Sequence, residues 1–516
     1  MALLHPVLLQ LWQQLNSTPY TLCCSVLCLI GFFYLLNKLN RSSKPINLPP
    51  CPPKLPIIGN LHQLGKMPHR SLRALSHKYG SLMLLHLGKN PTLVVSSAAL
   101  AREMIKSHDL VFSSRPSSTA ANILLYGCKD VGFAPYGEYW RQARKVCVLE
   151  LLSLKRVQSF QFVRDEEVEQ LVSRLRNCNG ASANISAMLT AIVNNIISRC
   201  VIGQKFEAED GKKWFGKISK NVMVQLTAFS VGDFFPSLGW IDVLTGLIRR
   251  LKVTFGELDA FFDQVITQHK MMKRDDHDHC HAEDFVNILV KLQQDGVLDF
   301  ELTQDNLKAI LIDMFVGGSD TTSTALEWAF AELMKSPVAM KKAQEEVRRV
   351  VGNKSKVEES DINQMKYLKC VLKETLRLHP SLPLLVPRET LSSVKFGGYD
   401  IPQKTRVFVN SWAIQRDPEI WERPEEFLPE RFENSQVDFK GHDFEFIPFG
   451  AGRRGCPGMS FGIASAEYVM ANLLHWFDWE LPKTSKAKDN LDMSEVYGLT
   501  VHKKVSLCLV PKPYSF

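Results

Sequence analysis

The chain has 516 residues, of which 45% are hydrophobic and 22% charged, ordinary proportions for a globular protein able to bury a large core. Its formal net charge of +8 is mild for this length, so it implies no nucleic-acid binding and suits an anionic membrane surface or an acidic partner. The 12 cysteines include no C-x-x-C pair, so neither a zinc ribbon nor a thioredoxin motif is suggested, and their scatter fits a reducing compartment better than a disulfide framework.

Residues 20–36 read YTLCCSVLCLIGFFYLL, without charge or proline. The run sits at the short end of what spans a bilayer. Lys38, Arg41 and Lys44 follow it, while residues 1–19 contain no Lys, Arg, Asp or Glu. The positive-inside rule therefore expects residues 1–19 in the lumen, a transmembrane anchor over 20–36, and the remainder in the cytosol. A cleaved signal peptide would want positive charge before the apolar run and a small-residue cleavage site after it. Neither is present. Residues 37–60 form a basic and proline-rich linker, ending NLPPCPPKLPIIGN. Its prolines exclude helix and central strand and favour a stiff extended spacer. A ligand for a proline-recognition domain is the rival reading.

Residues 61–516 form the body of the chain. A helix is expected over 304–335, apolar nearly all round in its middle and so crossing the core. Further helices are expected over 337–351, 362–379 and 459–475. Short strands are expected over 394–410, joined by a Gly-Gly turn, and over 505–510. Strands cluster late and helices fill the rest, so the fold class is mainly α with minor β. RDDHDHCHAED at 274–284 looks like a metal cluster, but its unbroken polarity reads better as a solvated linker.

FGAGRRGCPG, residues 449–458, supports two chemistries. Gly450, Gly452 and Gly455 spell the dinucleotide loop G-x-G-x-x-G. That loop belongs early in a βαβ unit. Here it comes late, Pro448 breaks the strand that should precede it, and no ribose-binding acid follows at the expected distance. The other reading is a loop that presents a thiolate, Cys456, to a metal. The glycines turn the backbone around the sulfur, and Pro457 suits the first position of the helix that follows. The helix dipole, Arg453 and Arg454 should then favour the thiolate. One thiolate without neighbouring ligands suits haem iron.

The loop resembles that of the cytochrome P-450 family, F-x-x-G-x-R-x-C-x-G, and Phe449, Gly452, Arg454, Cys456 and Gly458 fill it without a gap. The resemblance runs along the whole chain and is nearest to the plant microsomal A-type group. It implies a cytochrome P-450 fold behind one transmembrane helix, with haem b as cofactor and Cys456 as the metal ligand. In GGSDTTS, residues 317–323, it implies that Asp320 and Thr321 are catalytic and relay protons to the dioxygen site. Gly317 stands where the family usually has alanine, which predicts a slightly looser groove. ETLR at 374–377 with PERF at 429–432 resembles a structural network of Glu374, Arg377 and Arg431. WRQAR at 140–144 resembles the helix whose Trp140 and Arg144 reach a haem propionate, and Arg388 and Arg454 would hold the propionates too.

The implied reaction is monooxygenation with O2, its electrons coming from NADPH through a separate NADPH-cytochrome P-450 reductase at the endoplasmic reticulum membrane. Family analogy places substrate contacts in regions that contain Ile123, Leu124, Leu125, Phe229, Leu384, Leu385, Val386, Tyr497 and Leu499. All are apolar or aromatic, and no acid stands out to bind an amine. A small hydrophobic plant metabolite is expected, a terpenoid first, then a phenylpropanoid or coumarin, then an indole alkaloid. The alternative from another class is a membrane haem-binding or electron-transfer protein without turnover, which would not need Asp320 and Thr321.

Overall fold

A computed structural model describes residues 47–205, 213–272, 283–296, 298–482 and 491–515, together with Cys28 and Gly31. The expected lumenal stretch and anchor, and nearly all of the polar run at 274–284, lie outside the described residues. Met1–Leu48 and Pro49–Phe516 separate as two units, and the second carries the folded body.

The second unit is mainly helical with small sheets, as expected. The expected helix over 304–335 forms the centre, in two parts. Gln304–Ile312 and Gly318–Lys335 are joined by one wide π turn, Asp313–Gly317. Such turns recur at functional sites because the extra residue re-aims side chains. The segment is buried on nearly every side downstream, where Leu326, Trp328, Ala329 and Phe330 are fully enclosed and Glu327 and Glu332 are buried with them. It packs against Ile185–Ile202, Lys366–Leu378 and Met459–Trp476.

Ile185–Ile202 is the one helix among the described residues that is long and apolar enough to cross a membrane. Leu189, Val193, Ile196 and Cys200 on it are buried by neighbouring helices, so here it serves the core. Its ends are well defined: the Asn184 side chain accepts from the Ala187 amide, and Gly203 takes the left-handed conformation that stops it.

Strands are not confined to the C-terminal half, which corrects the sequence expectation. Leu82–Leu87 and Asn90–Val95 form an antiparallel hairpin. Asn90–Val95 pairs parallel with Arg406–Val409, which pairs antiparallel with Arg388–Glu389. This sheet carries Arg388 to the site. The Gly-Gly turn does join two strands, Val394–Phe396 and Tyr399–Ile401. The strand expected over 505–510 runs Cys508–Pro513.

Glu374, Arg377 and Arg431 do meet. Arg377 donates to both Glu374 oxygens at 2.7 and 2.9 Å, and Arg431 Nε donates to Oε1 at 2.9 Å. Glu374 also accepts the Leu428 amide at 2.9 Å, while Arg377 reaches the Gln415, Pro424 and Glu426 carbonyls. The group ties residues 415–431 to the helix Lys366–Leu378.

Candidate active site

Gly450 and Gly452 sit at φ +66° and +69°, in the left-handed region. A Cβ on Gly452 would also meet Ile105 Cγ2 at 2.7 Å and Asp109 Oδ1 at 2.8 Å. These two residues turn the loop, and the Cys456 amide closes it on the Phe449 carbonyl at 2.9 Å. The next helix begins at Met459 behind Gly458, so Pro457 stands just before it rather than at its first position. The Gly458 and Met459 amides point at the Cys456 sulfur. Cys456 is exposed, but its exposed surface opens onto an internal cavity of about 300 Å³.

Arg453 and Arg454, expected from sequence to favour the thiolate, both point elsewhere. Arg453 pairs with Asp109 at 3.4 Å, and Arg454 donates to the Ser113, Val131 and Ala134 carbonyls. Burial pushes the Cys456 thiol up, while the Gly458 amide, the Arg144 guanidinium and the Met459 amide pull it back. Arg144 is thus the cation whose charge favours the thiolate. Its Nη2 donates to the Gly455 carbonyl at 2.6 Å.

Four guanidinia line the cavity: Arg115, Arg144, Arg388 and Arg454. Among the described residues, only Arg388 of these four makes a salt bridge, to Asp109 at 3.5 Å. Arg115 spends its donors on the Gly132, Val386 and Pro387 carbonyls. Burial and the charges of Arg388 and Arg144 push Arg454 down to about 9, and burial and Arg454 push Arg115 well down. Buried like charges, three of the four without a carboxylate partner, call for an anion. Two carboxylates on one ligand, held by planar forks, would meet the need. Arg115 is not legible from sequence, because SSRPSS carries no pattern that marks it.

Trp140 is nearly buried and does not line the cavity. Its indole N–H donates to the Val131 carbonyl at 3.0 Å, and the Arg454 guanidinium lies 4.0 Å over its ring. It backs the arginine instead of reaching the ligand space. Phe449 and Thr321 do line the cavity, and the Thr321 hydroxyl donates to the Gly317 carbonyl at 2.6 Å. Asp320 does not. It sits half-buried, and its carboxylate accepts the Thr500 hydroxyl. The contact with Thr500 holds the Asp320 carboxylate away from the cavity that Thr321 lines.

Of the apolar residues expected to contact substrate, Leu125, Leu385, Val386 and Leu499 line the cavity. Ile123, Leu124, Leu384 and Tyr497 lie outside its lining, and Phe229 is exposed and stacks on Phe234. Met223 and Val316 line it from two further regions where substrate contacts are expected, about 215–240 and 312–321, while Phe133 and Ile197 line it unforeseen.

An acid also lines it. The Asp313 carboxylate accepts the Val131 and Gly132 amides at 2.5 and 3.3 Å, and Asp130 accepts the Phe133 amide at 2.6 Å. Burial pushes Asp130 up to about 6, and burial together with Asp130 pushes Asp313 well up. Raised carboxyl values mean that the folded state holds protons the unfolded chain releases. Stability from this pair is complete below pH about 4, the ordinary aspartate value, and is lost as pH rises toward the raised values. Asp313→Asn should therefore gain on the wild type from pH 5 to pH 8. The gain should reach about 1.4 kcal/mol for each pH step of one over which only the folded wild type keeps its proton. Parallel melts across that range check it; a constant difference would contradict it.

One sulfur at an apolar cavity, with guanidinia awaiting carboxylates, is the donor set of a haem-thiolate protein. The family model described as cytochrome P450 (equally, cytochrome P-450) matches residues 49–509. A phenylacetaldehyde oxime monooxygenase from Prunus mume is 57% identical over 98% of both chains. A strychnine-11-hydroxylase from Strychnos nux-vomica is 47% identical over 96% of this chain and 97% of its own. A zebra fish cytochrome P-450 solved with abiraterone superposes with a TM-score of 0.75 at 28% identity, covering 88% of this chain and all of its own. The chain belongs to the cytochrome P-450 family, as a plant A-type member. It is a monooxygenase whose haem iron is ligated by a thiolate and whose electrons come through a reductase.

Proposed function

We propose that this monooxygenase acts on an apolar, ring-bearing plant specialised metabolite, with Cys456 as its haem ligand, from the cytosolic face of the endoplasmic reticulum membrane. The carrying observation is the cavity, where Cys456 and the guanidinia share a space otherwise walled by Leu125, Ile197, Val316, Leu385 and Leu499. Haem, when bound, supplies oxygen activation. Arg115, Arg144, Arg388 and Arg454 would hold its propionates, and Trp140 would brace Arg454. The Gly458 and Met459 amides steady charge on the sulfur. Thr321 offers a hydroxyl that can pass a proton, and Asp320 can recharge it after leaving Thr500. The apolar walls exclude water and leave shape to select the substrate.

A terpenoid suits those walls. The names of relatives favour a second reading, an aromatic skeleton, since they include an oxime monooxygenase and an alkaloid hydroxylase. Microsomes that contain the protein and a plant reductase decide between them. Supplied with NADPH, they should oxygenate members of a panel of aromatic oximes, indole alkaloids and terpenoids. Thr321→Ala should keep NADPH oxidation but divert it to hydrogen peroxide, with product per NADPH falling at least about tenfold. No product from any of the three classes would defeat the substrate reading; unchanged coupling would defeat the role of Thr321.

A further inference from the structure

Asp320 is held unlike the other acids that the fold encloses. Glu374 answers two guanidinia and an amide, Asp242 accepts the Ser230 hydroxyl and two amides, and Asp313 accepts two amides. Among the described residues, the Asp320 carboxylate has one hydrogen-bond partner, the Thr500 hydroxyl, and makes no salt bridge. Thr500 is buried, and its neighbour fixes it. The Val501 amide donates to the Ser381 carbonyl at 2.9 Å, and the Val501 carbonyl accepts the Trp328 indole N–H at 3.1 Å. The Ser381 hydroxyl in turn donates to the Thr321 carbonyl at 3.1 Å. Thr500 is thus pinned to the helix that carries Asp320 and Thr321, whereas the carboxylate can turn about its own side-chain torsions.

We propose that Thr500 is a positioning residue, which parks the Asp320 carboxylate on the flank of the core helix and releases it toward Thr321 by giving up one hydrogen bond. The inference deepens, and rests on, the reading in which Asp320 recharges Thr321. A hydrogen bond to a charged group biases a two-position equilibrium by about ten- to a hundredfold. That is enough to keep the acid parked at rest. The departing carboxylate leaves behind a neutral hydroxyl, whereas breaking a buried ion pair would strand a cation. A single neutral partner therefore suits an acid that has to move, and the several partners of Glu374 or Asp242 suit acids that do not.

The test uses the purified full-length haem protein and needs no substrate. The reduced protein is exposed to carbon monoxide, and the infrared C–O stretch is recorded, because that frequency responds to charge nearby. The wild type should show the parked setting as its main band. Thr500→Val is nearly isosteric but lacks the hydroxyl, so a second band should rise about tenfold or more over the wild type. Thr500→Ser keeps the hydroxyl and should match the wild type. Adding Asp320→Asn to Thr500→Val should remove the second band. Thr500→Ala repeats the comparison if the valine variant does not fold. Identical bands in the wild type and the hydroxyl-free variant would overturn the proposal. So would a second band that survives without the Asp320 carboxylate, or a serine variant that behaves as valine does. Unchanged coupling in Thr321→Ala would defeat the relay and leave the infrared result to decide on Thr500, so the two readings fail separately.

Discussion

Replacing Cys456 with serine should abolish the thiolate Soret band in the reduced carbon monoxide difference spectrum and bring NADPH-dependent product formation to background. Serine is nearly isosteric and can keep the loop, because the turn is set by Gly450 and Gly452 and the closure uses the backbone of residue 456. Only the soft, strongly donating ligand is removed. The guanidinia remain, so the variant can still retain haem, but with an altered spectrum. Retention of the thiolate band would mean that another cysteine ligates the iron. Among the described residues no other cysteine lines the cavity, and burial pushes the thiols of Cys147 and Cys200 above the usual range.

Glu374→Ala should cost about 3–5 kcal/mol, the range for breaking a buried ion pair on one side. Glu374 and Arg377 are both fully buried, and the carboxylate answers Arg377, Arg431 and the Leu428 amide. Without it, Arg377 faces a dry interior unpaired, Arg431 loses its carboxylate at the rim, and the segment over 415–431 loses its tie. Chemical denaturation of the haem protein, read by far-ultraviolet circular dichroism, measures the loss. Glu374→Asp should recover part of it. A change under about 1 kcal/mol would show that the network is solvated and contributes as little as a surface pair.

The site is legible in sequence wherever its chemistry is local. The cysteine loop works through residues within ten positions of one another, so FGAGRRGCPG is enough to identify it. Glu374, Arg377 and Arg431 come to light because the resemblance joins two short motifs. The misses have another cause. Asp130 and Asp313 meet across 183 positions, and neither has a neighbour in sequence that marks the encounter. Trp140 and Arg144 share a helix face, yet only Arg144 reaches the cavity, because the Arg454 guanidinium, which lines the cavity, covers the indole. The motif pairs Asp320 with Thr321, while the fold hands its carboxylate to Thr500, a partner 180 positions away. The hairpin over 82–95 is hidden because LMLLHL is nearly continuous apolar sequence, and both faces of that strand are covered. Periodicity cannot separate such a run from a buried helix.

The clamp on residues 130–134 ties occupancy to folding. Arg115, Arg454 and Trp140 hold carbonyls of this stretch, while Asp130 and Asp313 hold its amides. Two of the four cavity cations, Arg115 and Arg454, thus form part of the protein's own scaffold, and carboxylates on a bound haem would relieve the repulsion among the four. Haem would then act as a missing piece of the core as well as a reagent. By mass action, the native population of this enzyme should rise with the supply of free haem. A cell short of haem would lose the polypeptide along with its activity, and the abundance of the enzyme would report on haem synthesis.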